Sequence, residues 1–193
     1  MTTTDNPRSG ARNRTRRAIL AAAASVLGRD RNAPMAAVAE AADVGRSTLH
    51  RYFPDREKLV EATFEDSIAE LGRVMEQVRP EEGPAEEALC RVVNGHVEVG
   101  DRILFAFGDT ATVRRYGGLR SGEPEEPEVL VRLFERGQAE GVFDPDADPA
   151  WLVHVMWALL FTGLERARAG RISPQAVASL VLRTLENGVT ARR

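Results

Sequence analysis

The chain has 193 residues, of which 43% are hydrophobic and 28% charged, and its formal net charge is −3. This composition is ordinary for a globular protein with a sizeable core in one or two domains. The single cysteine excludes an internal disulfide and is typical of a reducing compartment. The longest apolar run, residues 151–164, is too short to span a membrane, and residues 1–10 do not resemble a signal peptide. We therefore expect a cytoplasmic protein that does not bind a membrane.

The charge is distributed unevenly along the chain. Residues 1–60 hold 11 Arg and Lys against 6 Asp and Glu, a net of +5, whereas residues 61–193 hold 15 against 23, a net of −8. This distribution indicates that a polyanionic partner would bind the basic residues 1–60 and not the acidic residues 61–193. Because solvated basic helices are common, charge by itself does not separate a nucleic-acid surface from an ordinary one.

The first predicted helix covers residues 12–27 and is rich in alanine. Its apolar stripe consists of Ile19, Ala23, Val26 and Leu27. Its first turns carry four arginines, at positions where positive charge opposes the helix dipole: Arg12, Arg14, Arg16 and Arg17. A bound external anion would explain these arginines, and a solvated basic surface is the alternative.

A short second helix is predicted after the loop over residues 28–33. Pro34 suits its first position, and its apolar residues are Val38, Ala39 and Ala42. The turn at residues 43–45 ends this helix, and we expect Gly45 to supply the backbone angles of the sharp turn.

A third helix over residues 46–53 buries Leu49 and Phe53, which are four residues apart. Two short helices joined by a tight turn form the helix-turn-helix unit, whose second helix enters the DNA major groove. With Leu49 and Phe53 inward, the same geometry turns donor-rich side chains outward, toward phosphates and base edges: Arg46, Ser47, His50 and Arg51.

The segment over residues 38–60, VAEAADVGRSTLHRYFPDREKLV, resembles the DNA-binding signature of the tetracycline-repressor (TetR) family of bacterial transcription regulators. The resemblance covers residues 12–60. It implies that the arginines of the first helix contact phosphate and that the C-terminal part holds a small-molecule pocket. The predicted DNA-binding residues are Arg12, Arg14, Arg16, Arg17, Arg46, Ser47, Thr48, His50, Arg51, Tyr52 and Lys58.

Five positions depart from the residues that the family usually has. Asp43 stands in place of Gly, Gly45 in place of Ser or Thr, and His50 in place of Tyr. Arg56 stands in place of Lys, and Pro34 in place of a Thr or Ser that caps the second helix and touches phosphate. These departures concern phosphate contacts at positions 34 and 50 rather than the fold.

A long amphipathic helix follows over residues 55–78. Its apolar residues recur at steps of four, four, three, four and three, which is a helical stripe: Val60, Phe64, Ile68, Leu71, Met75 and Val78. Asp55 resembles an N-terminal cap. At about 1.5 Å per residue, the helix is long enough to join a DNA-binding domain to a second domain.

Five further helices are predicted over residues 84–99, 103–107, 129–140, 149–169 and 174–189, with a loop over 116–127. The sequence therefore predicts an all-α fold of about nine helices. The predicted organisation is a disordered, basic and polar tail (1–11), a helix-turn-helix domain (12–54) and a ligand-binding and dimerisation domain (55–193).

The helix over residues 149–169 is apolar around nearly its whole circumference, so it must be buried on two sides. One side can face the core and the other a second copy of the chain, as in a two-fold homodimer. A central helix wrapped by its own domain is the alternative. The predicted dimer interface consists of Trp151, Val153, Met156, Trp157, Leu160, Phe161, Val177, Leu180, Val181 and Leu185.

Apolar residues of the middle helices are expected to share an interior that binds a small molecule. The predicted ligand-binding residues are Phe64, Ile68, Leu71, Met75, Val93, His96, Phe105, Phe107 and Phe134. A filled hydrophobic core is the alternative, and a hydrogen-bonded core histidine is the favoured interpretation of His96.

Motifs of catalysis and metal binding are missing from the sequence. It has no Gly-rich phosphate loop, nucleophile elbow or HExxH motif, and Cys90 with His96 lacks the spacing of a compact zinc site. We therefore predict no enzyme, no metal and no cofactor.

The function that fits these observations is a homodimeric repressor that an unidentified small-molecule effector releases from a palindromic, double-stranded DNA operator. Two alternatives stay open. One is a DNA-binding regulator without an effector, and the other is a helical binding or scaffold protein whose N-terminal domain does not bind DNA.

Overall fold

The computed structural model describes residues 7–116 and 127–189. This part of the chain forms ten α-helices, which confirms the predicted all-α fold. They are α1 (Pro7–Arg29), α2 (Met35–Ala41), α3 (Arg46–Tyr52), α4 (Arg56–Val78), α5 (Ala85–Glu98), α6 (Gly100–Phe107), α7 (Thr110–Tyr116), α8 (Glu128–Ala139), α9 (Pro149–Arg168) and α10 (Pro174–Val189).

The helix that the sequence did not reveal is α7. Its N-terminus is capped by Asp109, whose carboxylate accepts hydrogen bonds from the backbone N–H of Thr112 (2.9 Å) and Ala111 (3.2 Å). The helix is short and carries no apolar stripe, so periodicity could not indicate it. The predicted sixth helix begins earlier than expected, at Gly100 rather than at residue 103, so only Val99 separates α5 from α6. Residues 117–126 of the predicted loop lie outside the described residues.

The chain divides into two compact units. Among the described residues, the head unit comprises residues 7–69 and 105–116, and the body unit comprises residues 70–104 and 127–189. Two helices, α4 and α6, begin in one unit and end in the other. The predicted division after residue 54 stays a prediction about folding domains.

The turn between α2 and α3 is built differently from the expectation. The residue in the left-handed backbone region is Asp43, with φ 51°, whereas Gly45 has φ −67° and ψ 149°. The assignment of the sharp angles to Gly45 is therefore wrong. Gly45 instead precedes the first residue of α3, and neither it nor Pro34, before α2, supplies a side-chain cap.

The core of the head unit is formed by the inward faces of its helices. Leu49 and Phe53 are both buried, as predicted. They share one cluster with buried residues from α1, α2, α4 and the end of α6: Ile19, Leu20, Ala23, Ala24, Leu27, Val38, Ala39, Leu59, Phe64, Phe105 and Ala106. This cluster fixes which face of α3 remains exposed.

Within the head unit, α4 buries two hydroxyl groups that an apolar pattern does not indicate. Thr63 and Ser67 are fully buried, and they donate hydrogen bonds to the carbonyl oxygens of Leu59 (2.6 Å) and Thr63 (2.7 Å). These bonds satisfy the hydroxyl hydrogens and allow their burial. Ile68, expected on the inward stripe, is 41% exposed. Asp55 caps α4 as predicted, accepting from the backbone N–H of Lys58 at 2.8 Å.

The core of the body unit is formed by α5, α8, α9 and α10, together with Ile103 and Leu104 of α6. Here α9 and α10 approach closely at Gly163, where an added Cβ would lie 2.8 Å from Cγ1 of Val177. A larger residue would therefore force these two helices apart.

Two arginines hold the loop between α4 and α5. Arg91 donates to the carbonyl oxygens of Val78 (2.9 Å) and Arg79 (3.1 Å). Arg136 donates to those of Pro80 (2.8 Å) and Glu81 (2.9 Å). The carbonyl oxygen of Val78, the last residue of α4, is one that a helix leaves without an intrahelical partner, and the other three carbonyls belong to the loop itself. Among the described helices, none is both long and apolar enough to cross a membrane.

Candidate nucleic-acid interface

The exposed face of α3 carries hydrogen-bond donors. Burial of Leu49 and Phe53 on the opposite face leaves Arg46, Ser47 and His50 exposed, together with Arg51. Thr48 and Tyr52 are half-buried at the edges of this face. The structure therefore presents, on one short helix, side chains that can donate to phosphate oxygens and to base edges.

The start of α1 lies beside the end of α3. The hydroxyl of Tyr52 donates to the carbonyl oxygen of Arg12 at 3.2 Å. The guanidinium carbons of Arg12 and Arg51 lie 6.0 and 5.9 Å from the centre of the Tyr52 ring. A cleft of about 350 Å³ is lined by Ala11, Arg12, Thr15, Arg51 and Tyr52. Two positive charges at one cleft suit an anionic group such as a backbone phosphate.

The remaining arginines of α1 extend this basic surface. Arg16 lies over the Phe53 ring, 5.8 Å from its centre, which also fixes α1 against the end of α3. Arg14 and Arg17 are exposed on the same helix. The structure thus brings four of the predicted residues, Arg12, Arg16, Arg51 and Tyr52, into one neighbourhood.

Two predicted DNA contacts have partners within the chain. Nδ1 of His50 lies 3.4 Å from the carbonyl oxygen of Pro54. The amino group of Lys58 donates to Glu61 at 2.8 Å, and this hydrogen bond and the charge of Glu61 raise the pKa of Lys58. Lys58 would have to leave Glu61 to reach a phosphate. The assignment of these residues to DNA binding stays a prediction.

Two arginines that the sequence did not single out as DNA contacts organise the loop between α1 and α2. Arg56 donates to the carbonyl oxygens of Ala33 and Arg31. Arg31 donates to the carbonyl oxygen of Phe105 and, at 3.2 Å, to the hydroxyl of Thr112. A lone arginine in a loop gives no sequence signal for such a role, because its partners are distant in the chain.

The residues predicted to bind a ligand do not share one core. Phe64 and Phe105 are buried in the head unit, whereas Val93, His96 and Phe134 are buried in the body unit. Leu71 and Met75 are half-buried against the body core. Ile68 and Phe107 are 41% and 45% exposed. The expectation of a single shared interior is therefore wrong, since apolar character predicts burial but not which core receives a side chain.

The residues predicted to form a dimer interface differ in exposure. Six are buried in the body core of the chain itself: Val153, Met156, Leu160, Val177, Val181 and Leu185. The accessible ones are Trp151, which is 64% exposed, and the half-buried Trp157, Phe161 and Leu180. Only these four can contact a second copy without repacking of the core, and the interface stays a prediction.

Among the described residues of the body unit, the buried His96 packs against the half-buried Trp157. The ring of His96 meets that of Trp157 edge to face, with 4.9 Å between their centres. Nδ1 of His96 lies 2.7 Å from the carbonyl oxygen of Val92. Burial lowers the pKa of His96. His96 is therefore a hydrogen-bonded core histidine that is neutral near pH 7.

The chemistry of nucleophiles and metals finds little support in the described residues. Burial raises the pKa of the Cys90 thiol, which disfavours the reactive thiolate. Across residues 7–116 and 127–189, no group of three or more His, Cys, Asp and Glu side chains is placed to hold a metal ion. The donor-rich surface of α1 and α3 is the better-defined site.

Comparison with known proteins relates this chain to bacterial transcription regulators. The family model described as "Bacterial regulatory proteins, tetR family" matches residues 19–63, which include α2 and α3. The HTH-type transcriptional repressor LfrR of Mycolicibacterium smegmatis is 34% identical over 188 residues, covering 94% of this chain and 93% of LfrR. The HTH-type transcriptional regulator NfxB of Pseudomonas aeruginosa is 29% identical over 156 residues, covering 80% and 83% of the two chains.

Solved structures show the same architecture. The crystal structure of LfrR, a TetR-like regulator, superposes with a TM-score of 0.71 at 32% identity, covering 93% of this chain and 97% of LfrR. A second LfrR structure, in complex with proflavine, gives a TM-score of 0.69 at 32% identity, covering 94% and 99%. The likeness extends over both units, because it covers nearly the whole length of both proteins.

Proposed function

The chain belongs to the tetR family of bacterial regulatory proteins, and we propose that it is a homodimeric repressor released from its DNA operator by a small molecule. The observation that carries the DNA-binding part is the exposed face of α3, with Arg46, Ser47, His50 and Arg51 outward. In a two-fold dimer, two such helices bind half-sites about one helical turn, or a multiple of it, apart. The operator is then roughly palindromic.

The arginines of α1 supply the second part of the DNA contact. Arg12 and Arg51 flank Tyr52 at one cleft, so α1 and α3 can bind the same stretch of backbone. Contacts of this kind position a protein on DNA without reading sequence. Sequence is then read by the start of α3, where Arg46 can reach the O6 and N7 atoms of guanine.

For the effector we propose a planar aromatic cation. LfrR has been solved with proflavine, a molecule of this class. In this chain, residues 61–193 carry a net charge of −8, which favours a cationic effector. An acidic domain raises the local concentration of cations.

The test combines effector binding with operator release. Proflavine is first titrated into the protein without DNA, with quenching of tryptophan fluorescence as the signal. A labelled duplex from the region upstream of the protein's own gene is then displaced in an anisotropy assay. Because proflavine also intercalates into DNA, an unrelated repressor on its own operator serves as the control. The same amount of dye should leave that control complex intact.

We expect saturable proflavine binding without DNA, and release of the duplex over the same range of free dye. Reciprocity requires that DNA weaken dye binding by the factor by which dye weakens DNA binding. If the duplex binds but the dye does not bind the protein, the proposed effector class is wrong. If no effector of any class releases the duplex, a regulator without an effector takes its place.

A further inference from the structure

The side chain of Arg31 connects the loop before the DNA-binding helices to two distant helices of the head unit. Its guanidinium group donates to the carbonyl oxygen of Phe105, near the end of α6, and lies over the Phe105 ring at 4.9 Å. It also donates to Oγ1 of Thr112, in α7, at 3.2 Å. The partners are 74 and 81 residues away in sequence. One side chain thus contacts both α6 and α7.

The α7 end of this connection is itself fixed. The hydroxyl of Thr112 donates to Oδ2 of Asp109 at 2.7 Å, and the backbone N–H of Thr112 donates to the same oxygen at 2.9 Å. Thr112 is nearly fully buried. Its hydroxyl therefore accepts from Arg31 while donating to Asp109, which orders the three side chains in one hydrogen-bonded series.

The loop that carries Arg31 is held from the other side by the start of α4. Arg56 donates to the backbone carbonyl oxygens of Arg31 and Ala33. Ala33 is buried in the head core, and Pro34 follows it directly before α2. The loop is therefore attached to α4 through its backbone and to α6 and α7 through the Arg31 side chain. Both α4 and α6 continue into the body unit.

We propose that Arg31 is the positioning residue that passes a displacement of α6 and α7 to the helix-turn-helix. The inference rests on the proposed function, because it concerns how that DNA contact is regulated. A guanidinium group suits this role, since its fixed donors bind two acceptors in one geometry. When α6 moves, the carbonyl of Phe105 and the hydroxyl of Thr112 carry Arg31 with them. The loop then shifts the start of α2, and α3 changes its position on DNA.

A role in stability alone makes a different prediction. If Arg31 only stabilised the head unit, its loss would raise exchange of amide hydrogens throughout that unit and leave communication between its helices intact. If Arg31 transmits position, DNA bound at α3 should order α6 and α7 in the wild type and not in the variant. Linkage requires that the transmission run in both directions.

The experiment is hydrogen exchange of the full-length dimer with and without the duplex from its own upstream region. The variant is Arg31→Met, which keeps a long side chain and removes the donors. The matched control is Arg29→Met, which removes one exposed positive charge two residues away. A second variant, Thr112→Val, keeps the side-chain volume and removes the acceptor hydroxyl.

In the wild type and in Arg29→Met, we expect DNA to slow exchange in α3 and also in residues 105–116. In Arg31→Met and Thr112→Val, DNA should still slow exchange in α3 but no longer in residues 105–116. The affinity of Arg31→Met for the duplex should fall about fivefold or more below that of Arg29→Met.

Persistence of the protection at residues 105–116 in both Arg31→Met and Thr112→Val would overturn the inference while leaving the proposed function intact. If Arg31→Met does not fold, the exchange of residues 105–116 in Thr112→Val alone tests the inference, and protection that persists there overturns it. If the folded wild type binds its upstream duplex no better than random DNA, the proposed function itself is wrong.

Discussion

Asp43 carries the left-handed backbone conformation of the turn between α2 and α3, with φ 51°. This region disfavours residues with a Cβ atom, although Asp tolerates it better than branched residues do. We predict that Asp43→Gly raises the free energy of unfolding by up to about 1 kcal/mol. Asp43→Val should lower it by about 1–2 kcal/mol. Urea unfolding monitored by circular dichroism measures both changes.

Gly45 provides the control for this prediction. Its φ of −67° and ψ of 149° suit any residue, and an added Cβ would meet only Oγ of Ser47, at 3.9 Å. Gly45→Ala should therefore change the unfolding free energy by less than about 0.5 kcal/mol. A larger loss at Gly45 than at Asp43→Val would contradict this description of the turn.

Burial gives His96 a pH-dependent role in stability. Burial lowers its pKa from the ordinary value of 6.5, and the hydrogen bond with the carbonyl of Val92 acts in the opposite direction. The unfolded chain then binds a proton more readily than the folded chain. The contribution of His96 to the free energy of unfolding is therefore fully present above pH 6.5 and is lost as the pH drops below that value.

We predict that His96→Gln loses less unfolding free energy than the wild type when the pH is lowered from about 7.5 to about 5.5. Urea unfolding at the two pH values measures this, and His154→Gln, at an exposed position, controls for the loss of an imidazole. If the pH dependence of His96→Gln equals that of the wild type, another group causes it.

The loop after α4 is held by charged donors from neighbouring helices. Arg136 donates to two carbonyl oxygens of this loop, and its side chain is 28% exposed. Arg132, one turn earlier in α8, pairs only with Glu128 among the contacts described, and its side chain is 69% exposed. Arg136 is therefore the more buried of the two, and it donates to the loop, whereas Arg132 pairs with a residue of its own helix.

We predict that Arg136→Met lowers the free energy of unfolding by about 2 kcal/mol, since it leaves carbonyl acceptors without a charged donor. Arg132→Met should cost less than about 0.5 kcal/mol, as expected for an exposed ion pair. Thermal or urea unfolding of the two variants side by side measures the difference. Equal losses would show that the arginine contacts do not hold the loop.

The predicted dimer interface can be tested on two neighbouring residues of α10. Leu180 is half-buried, whereas Val181 is buried in the body core. If a second copy covers α9 and α10, Leu180→Glu should give a folded monomer, because the charge is buried only on dimerisation. Val181→Glu should instead unfold the body unit. Sedimentation with circular dichroism separates these results, and a monomeric wild type at micromolar concentration would refute the interface.

The regular patterns of the sequence predicted most helices because a buried stripe requires a 3.6-residue period. The prediction was weaker where hydrogen bonds rather than apolar contacts define the structure. In α4, Thr63 and Ser67 are buried because their hydroxyls bond to backbone carbonyls. The short helix α7 depends on Asp109 as a cap and on a distant arginine, Arg31. Neither feature leaves a periodic signal.

The local signature of the helix-turn-helix was sufficient to identify the family of the chain. The residues of the ligand pocket could not be predicted from a local signature in the same way. Phe64 and Phe134 are equally apolar and equally suited to an interior, yet they belong to different cores. Assignment to a core depends on long-range packing, which a single sequence does not encode as a pattern.

Whether the exposed face of α3 reads a specific operator can be measured directly with a pair of anisotropy titrations. One uses the duplex from the protein's own upstream region, and the other uses a shuffled duplex of the same length and composition. We predict that the wild type prefers the upstream duplex by about 10³-fold or more. Arg46→Ala should weaken binding to it by about 1–3 kcal/mol and affect the shuffled duplex less. Arg29→Ala should leave the ratio unchanged. Equal affinity of the wild type for both duplexes, or an unchanged ratio in Arg46→Ala, would show that α3 does not read the operator in this way.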